Sequence, residues 1–373
     1  MAVDRGGHPA AMRIAVTGLS GNVGSALLPR LLADPAVTSV AGLARRPPGP
    51  GSPLHDGVDW TAADLGEPAD AAAVERFVAG ADVLVHLAWR LTPSHDRALM
   101  RRVNVAGTRA VFRAAADAGV RAVVHASSIG AYSHGPADKL QRVDEDWPTG
   151  GVATLGYSRD KVAAERMLDE LEAERPGLRV VRVRPALVLQ RAAASEQARY
   201  FLGPFVPASL VRPGLIPVVP DLDRLVVQVV HADDVAAVFH GAAVGDVRGG
   251  LNAAAEPVLD PAALGALLGA RPVRVPAGAL RGVVDATWRL HLQPTPPGWI
   301  DLALAMPLLD TGRARRELGW APTREAGAVL LEALDGVREG GGGPSAVLRP
   351  LASPPKRLLG ALRALVPGTG GTG

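Results

Sequence analysis

The stretch that decides the fold is MRIAVTGLSGNVG, residues 12–24. Residues 13–17 form a short run of mainly apolar side chains, which is typical of a strand. Glycines at 18, 21 and 24 follow, and a helical pattern continues to residue 33. Glycine at 18 and 21 lets the backbone turn tightly, and glycine at 24 lets a helix pack close to the strand. The stretch therefore predicts the strand, turn and helix that begin a βαβ unit.

The same alternation continues along the chain. The sequence predicts further strands over residues 37–44, 58–62, 82–87, 122–127 and 180–183. Helical patterns lie between several of them, at residues 69–79, 97–118 and 157–174. Strands that alternate with helices pair in parallel, because each helix returns the chain to the same edge of the sheet. We therefore predict an α/β fold with a doubly wound parallel sheet of the Rossmann type.

The glycine turn also predicts a ligand. The first N–H groups of a helix have no partner within the helix, and they favour a negatively charged group such as a phosphate. A glycine-rich turn between the first strand and the first helix is the pattern that binds the pyrophosphate of a dinucleotide. The predicted cofactor-binding residues of this turn are Gly18, Ser20, Gly21, Asn22, Val23 and Gly24.

The organisation changes after residue 185. We predict a dinucleotide-binding Rossmann core over 12–185, and mixed substrate-binding elements over 186–339 that include a strand at 225–230. This second part forms a smaller C-terminal lobe at the carboxyl edge of the sheet, where ligands of open α/β folds bind. Four glycines at 340–343 begin a predicted flexible tail, residues 340–373, which contains a basic amphipathic stretch at 355–366.

Composition excludes several classes of function. The chain has 373 residues and a net charge of +3, and it has no basic run that could follow a nucleic-acid backbone. It has no cysteine, which excludes disulfide scaffolds, thiolate metal sites and cysteine nucleophiles. Nor do its His, Asp and Glu residues show the spacing of metal ligands, so we predict no metal site. No apolar stretch reaches about 18 residues and no signal segment is evident, so we expect a cytoplasmic protein without a membrane span.

Two rare residue types stand four positions apart. The chain has three tyrosines and three lysines, and Tyr157 and Lys161 form a Tyr-x-x-x-Lys motif that arises by chance with a probability of about 0.02. Residues i and i+4 share a helix face, so both side chains can point into one cleft. A free phenol has a pKa of about 10, and a nearby cation favours the phenolate. The pair therefore predicts that Tyr157 acts as a general acid or base.

These motifs together resemble the extended branch of the short-chain dehydrogenase/reductase superfamily, the NAD(P)-dependent epimerase/dehydratase family. The resemblance spans residues 12–322. Its motifs are the GxxGxxG turn, Asp64-Leu65, His86-Leu-Ala88, Asn104-Val-Ala-Gly-Thr108, Ser127-Ser128-Ile-Gly-Ala-Tyr132, Tyr157-Ser-Arg-Asp-Lys161, Arg184-Pro185, His231-Ala-Asp-Asp234 and Arg316-Glu-Leu-Gly-Trp320.

The resemblance implies roles for further residues. Ser128 would hydrogen-bond the substrate oxygen, with Ser127 as the adjacent alternative, and Lys161 would also bind the hydroxyls of the nicotinamide ribose. Asp64 and Leu65 would contact the adenine. The backbone of Leu87 and Ala88 would pass the cofactor. Family members often dimerise through two long helices, so a homodimer is expected.

The end of the second predicted strand bears on the choice of cofactor. NAD-preferring Rossmann proteins place a carboxylate there for the ribose 2′-hydroxyl, whereas NADP needs positive charge for its 2′-phosphate. Here Ala44 is followed by Arg45 and Arg46, and a guanidinium suits a phosphate well. This favours NADP, with NAD possible; the alternative is that both arginines are merely solvated.

We therefore predict an NAD(P)-dependent enzyme that transfers hydride between nicotinamide and a hydroxyl or carbonyl carbon of a small substrate, a nucleotide sugar or a ketone. Its catalytic residues would be Ser128, Tyr157 and Lys161, and its activity that of an epimerase or a carbonyl reductase. Family dehydratases usually carry Thr-Asp-Glu where this chain has Ser128-Ile-Gly130, which argues against dehydration. The alternative is a non-catalytic NAD(P)-sensing protein that keeps the Rossmann fold.

Overall fold

The structure is a computed structural model that describes residues 11–91, 95–201, 210–293 and 295–350. The basic amphipathic stretch predicted at 355–366 lies outside these residues. Among the described residues, no helix is both long and apolar enough to cross a membrane.

Seven strands form one parallel sheet in the order β11-β7-β5-β4-β1-β2-β3, which confirms the predicted doubly wound fold. Six short strands pair two by two outside it, as β8 with β10, β9 with β12 and β6 with β13. The strands are β1 Met12–Thr17, β2 Val37–Ala44, β3 Val58–Ala62, β4 Val83–His86, β5 Ala122–Ala126, β6 Arg142–Val143, β7 Arg179–Pro185, β8 Leu187–Leu189, β9 Val218–Asp221, β10 Val229–His231, β11 Gly249–Ala253, β12 Arg271–Arg274 and β13 Leu308–Leu309.

Helices cover both faces of the sheet. They are α1 Asn22–Ala33, α2 Ala71–Val78, α3 Arg97–Arg101, α4 Thr108–Asp117, α5 Gly156–Glu174, α6 Ala194–Phe201, α7 Ala232–Val244, α8 Pro261–Leu268, α9 Ala277–Arg289, α10 Gly298–Ala305, α11 Gly312–Leu318 and α12 Ala326–Arg338. On one face, Leu27 of α1 and Phe239 of α7 are buried in one apolar cluster. On the other, Phe77 of α2, Phe112 of α4 and Leu168 of α5 are buried in a second cluster. This two-sided burial explains why the central strands are almost wholly apolar.

The helix predicted at 97–118 is interrupted in the middle. Residues 102–107 form a π-helical segment between α3 and α4. Within it, the buried Asn104 accepts a hydrogen bond from the backbone N–H of Arg90 (2.7 Å) and donates one to the Arg90 carbonyl (2.9 Å). Gly107 packs so closely that a Cβ there would lie 2.4 Å from the Leu65 carbonyl oxygen. The wider turn thus brings the helix against two loops at the carboxyl edge of the sheet.

The strand predicted at 225–230 is shorter than expected. Only Val229–His231 pairs in parallel, with β8, and Val227 makes a single antiparallel bridge to Leu259. Arg224 has a positive φ of 68°, a conformation that turns the chain just before this segment. Before Val229, the Gln228 carbonyl still accepts from the Leu187 N–H (3.3 Å), but the parallel register with β8 begins at Val229.

Residues 341–350 lie against the fold. The Ser345 hydroxyl donates to the carbonyl of Ser20 in the glycine turn (2.7 Å), and Leu348 is fully buried. The Arg199 guanidinium donates to the carbonyls of Val347 and Arg349. The start of the predicted tail thus contacts both α6 and the glycine turn, while the proposed division of the chain at 185 and 339 stays a prediction.

We predict that Gly107→Ala lowers the free energy of unfolding by about 1–3 kcal/mol, because the new methyl group overlaps the Leu65 carbonyl. Urea denaturation measures the change. Gly282→Ala in α9 is the matched control, since a Cβ there meets no atom within 4 Å and alanine favours a helix. An equal loss of stability in both variants would contradict the close packing at Gly107.

Candidate functional site

The predicted phosphate-binding turn lies where β1 meets α1. Gly18 has a positive φ of 72°, and a Cβ there would lie 2.6 Å from the Ala88 backbone nitrogen. Gly24 is equally constrained, because a Cβ would come within 2.5 Å of the Gly18 and Leu19 backbone. Gly21 precedes α1 without a side-chain cap, and the first turn of α1 carries no acidic residue. The free N–H groups at this helix start therefore fit an anion such as a pyrophosphate.

Asn22 ties this turn to the second half of the chain. Its side-chain amide donates to the Val188 carbonyl (3.1 Å), and the buried Gln190 donates to both the backbone carbonyl and the side-chain oxygen of Asn22 (2.7 and 2.8 Å). Val23, also predicted to touch cofactor, is partly buried against the core. Gln190 could not be predicted as part of this site, since nothing in the sequence near it relates it to the glycine turn.

The predicted adenosine-side residues gather at the ends of β2 and β3. The Arg45 guanidinium lies 3.8 Å from the Asp64 carboxylate, and both Arg45 and Arg46 are exposed. Asp64 also accepts from the Gly66 backbone N–H (2.9 Å). Leu65 packs against Gly107 of the π-helical segment.

The segment after β4 borders the glycine turn. The Leu87 N–H donates to the Thr17 carbonyl (3.0 Å), and the Ala88 N–H donates to the Thr17 hydroxyl (3.2 Å). His86 is buried between two threonines, with Nδ1 2.8 Å from the Thr17 hydroxyl and Nε2 3.0 Å from that of Thr108. Burial, and secondarily the charge of Lys161, lowers the pKa of His86 to about 3, so the ring is neutral.

The three predicted catalytic residues come together at the carboxyl end of β5. Ser128 follows this strand, and its hydroxyl is hydrogen-bonded to Tyr157 in the first turn of α5. Burial raises the pKa of Tyr157 to about 12, and the bond to Ser128 opposes that rise. Lys161, one turn further on, donates to the Ala126 carbonyl (2.6 Å). Burial lowers the pKa of Lys161 to about 7, against the opposing effect of Glu165 and Asp160.

The two adjacent serines have different surroundings. The Ser127 hydroxyl donates to the carboxylate of Glu165, within the fold. The Ser128 hydroxyl accepts from the Gly130 N–H (3.0 Å) and faces the Tyr157 phenol. Of the two serines, Ser128 is therefore the one beside the Tyr157 phenol.

A buried polar network joins helix α5 to the central sheet. Glu165 of α5 forms a two-pronged ion pair with Arg184 of β7, at 2.8 and 2.6 Å. Arg184 also donates to the Tyr132 hydroxyl (3.0 Å), which donates to the Asn252 side chain (2.7 Å). Burial acts to lower the pKa of Arg184, but the Glu165 carboxylate outweighs it and raises that pKa above its usual range. Tyr132 and Arg184 stand out in the sequence only as parts of family motifs. Glu165 was not predicted, although it stands four residues after Lys161.

Two tryptophans flank the phenol. Trp299 of α10 stacks on the Tyr157 ring with a centroid distance of 5.2 Å, and Trp89 meets it edge-on at 6.2 Å. Helix α10 reaches this position because Gly298 packs on the backbone before α5, where a Cβ would lie 2.8 Å from the Thr154 carbonyl. Among the described residues, no group of His, Asp and Glu could hold a metal ion.

Comparison with known proteins supplies independent findings. The sequence pattern of the NAD dependent epimerase/dehydratase family matches residues 14–244. Uncharacterized proteins of Mycobacterium tuberculosis and Mycobacterium bovis are 31% identical over 321 residues, which is 86% of this chain and 29% of each relative. The chain thus spans less than a third of the length of these curated relatives.

Solved structures of low sequence identity share the fold. The UDP-glucose 4-epimerase of Thermus thermophilus in complex with NAD is 23% identical, with a TM-score of 0.64 over 88% of this chain and 99% of that one. The dTDP-glucose 4,6-dehydratase of Streptomyces venezuelae, with NAD bound, is 22% identical, with a TM-score of 0.62 over 88% and 97%. At this identity, the likeness shows the fold.

We predict that Glu165→Ala lowers the free energy of unfolding by about 3–5 kcal/mol, because it leaves the buried Arg184 charge without its carboxylate. Glu170→Ala is the matched control on the same helix, where an exposed pair with Arg109 contributes about 0–1 kcal/mol. Urea denaturation of both variants gives the difference. Equal stability of the two variants would contradict the supporting role of the buried pair.

Proposed function

The chain belongs to the NAD dependent epimerase/dehydratase family, and on that premise we propose that it is an NAD(P)-dependent enzyme that transfers hydride to or from a hydroxyl or carbonyl carbon of a small substrate. The observation that carries the proposal is that Ser128, Tyr157 and Lys161 lie together at the carboxyl end of β5, two strands away from β1, which leads into the glycine turn. When bound, the nicotinamide ring supplies the hydride donor or acceptor. The N–H groups at the start of α1 would hold its pyrophosphate.

The residues of this chain handle the proton. Tyr157 holds or releases a proton at its phenol oxygen, and Ser128 orients the substrate oxygen towards it. Burial alone works against a phenolate, since it raises the pKa of Tyr157 to about 12. The ammonium of Lys161, one turn along α5, favours the phenolate and would also bind the hydroxyls of the nicotinamide ribose.

We propose a nucleotide sugar or a ketone as substrate, and epimerisation or carbonyl reduction as the reaction. Two solved structures that share the fold are enzymes of nucleotide sugars, which supports the first substrate class. Dehydration is disfavoured, because Ile129 and Gly130 replace the two acids that family dehydratases usually carry after this position. A homodimer and a cytoplasmic location are further proposals, based on the family resemblance and on the composition.

We predict that Tyr157→Phe lowers kcat by at least about 100-fold, because it removes the proton-transfer group, whereas the affinity for the cofactor changes little. NADH and NADPH fluorescence, recorded with a panel of nucleotide sugars and ketones, measures both quantities. Tyr200→Phe removes a hydroxyl on α6 and serves as the control for general effects. Tight cofactor binding without turnover on any substrate of the panel would instead favour the cofactor-sensing alternative.

We also propose NADP as the preferred cofactor, with NAD accepted. Ala44 ends β2 where NAD-preferring proteins place an acid, and the exposed guanidinium of Arg45 follows directly. The NAD bound in similar structures supports a nicotinamide dinucleotide, and the finer choice rests on the two arginines.

We predict that Arg45→Ala weakens NADPH binding about 10- to 100-fold, since a charged hydrogen bond to the 2′-phosphate contributes about 1.5–3 kcal/mol, and leaves NADH binding within about twofold. Arg46→Ala is expected to act in the same direction. Arg30→Ala, at the far end of α1, is the control for loss of charge alone. Fluorescence titration gives the dissociation constants, and equal weakening for both cofactors would contradict the proposed preference.

A further inference from the structure

The amine of Lys161 is almost completely excluded from solvent. The side chain is 3% exposed, and burial lowers its pKa to about 7. Desolvation disfavours the charged form of a lysine unless a partner compensates. The charged form of Lys161 therefore needs a group that stabilises it.

The two nearest carboxylates are each paired with an arginine. Asp160 pairs with the guanidinium of Arg97, and Glu165 pairs with that of Arg184. Both act on Lys161 only through space, and no ion pair joins Lys161 to a carboxylate within the part of the chain that the structure describes. The arginines thus take up the negative charge that would otherwise face the lysine.

The histidines on the neighbouring strands add no charge. Burial lowers the pKa of His86 on β4 to about 3 and that of His125 on β5 well below its usual value, and Lys161 itself contributes to both shifts. Both rings are therefore neutral near pH 7. Tyr157 is also close, and its ring centroid lies 5.8 Å from the Lys161 nitrogen.

The indole of Trp89 lies over the ammonium. It follows Ala88 at the carboxyl end of β4, and its ring centroid lies 3.4 Å from the Lys161 nitrogen. A cation over an aromatic face is attracted to the electrons of the ring, and the attraction is strongest for tryptophan and for desolvated pairs. The same indole meets the Tyr157 ring edge-on at 6.2 Å, so it contacts both members of the proton-transfer pair.

We propose that Trp89 is a positioning residue whose indole face keeps the Lys161 ammonium charged and directed at Tyr157. The catalytic consequence rests on the proposed function. The contact itself does not, because it involves only this chain's side chains. Together, the Ala126 carbonyl and the Trp89 face replace the carboxylate that other buried lysines need.

The test is a titration of the lysines by NMR in the full chain labelled with ¹³C at the lysine ε carbon. Three lysines give three signals, and the Lys161 signal is identified by its loss in Lys161→Arg. In Trp89→Leu, which removes the aromatic face, we expect the Lys161 titration to move down by about one pH unit. Trp89→Phe keeps a face, so its Lys161 should titrate close to wild type. Lys139, whose pKa burial lowers to about 8, is an internal reference that should not move.

Trp299→Leu is the matched control, because it removes a tryptophan that stacks on the Tyr157 ring. It should leave the Lys161 titration as in wild type. The proposal is overturned if Lys161 titrates alike in wild type and Trp89→Leu, or if Trp89→Phe shifts it as far as Trp89→Leu does. Should Trp89→Leu fail to fold, Trp89→Met replaces it.

A measurement on the wild-type protein needs no variant at Trp89. Protons over an indole face resonate upfield, so the ε protons of Lys161 should be shifted upfield from those of an ordinary lysine. Signals at the ordinary position would overturn the proposal. Neither measurement uses cofactor or turnover. A failed turnover assay would therefore contradict the proposed function, whereas an unchanged Lys161 titration would contradict the role of Trp89.

Discussion

The buried ion pair between Glu165 and Arg184 is the constraint on which the site depends. It joins helix α5 to strand β7, and from Arg184 the hydrogen bonds continue through Tyr132 to Asn252 on β11. A desolvated pair of this kind is costly unless its remaining donors and acceptors are also satisfied, and here they are bonded to the Ser127 and Tyr132 hydroxyls and to the Glu145 carbonyl. The helix is therefore held at one height above the sheet, which sets where Tyr157 and Lys161 stand.

Pairing with arginine also determines the electrostatics around Lys161. Arg184 and Arg97 neutralise the two carboxylates nearest Lys161, and burial keeps His86 and His125 uncharged. Lys161 is left as a lone buried ammonium beside a phenol whose pKa burial raises.

Much of the fold and part of the site could be predicted from local patterns. The alternation of strand and helix placed the parallel sheet, and the rarity of tyrosine and lysine made the 157/161 pair stand out. The π-helical segment at 102–107 and the short strand β10 could not be predicted, because both depend on contacts with distant loops. The sequence favoured Ser128 over Ser127 only through the family resemblance, since the physical difference between them lies in which one reaches Glu165.

The sequence by itself determined the order of strands and helices, the glycine turn at 18–24 and the shared helix face of Tyr157 and Lys161, because each follows from spacing over a few residues. Only the tertiary structure decided that Gln190 holds Asn22, that Trp299 stacks on Tyr157 and that Trp89 covers Lys161. These partners are 168, 142 and 72 positions apart, respectively. Contacts between residues so far apart in the chain leave no periodic pattern in the sequence. They form only when the folded sheet brings the carboxyl ends of its strands to one edge.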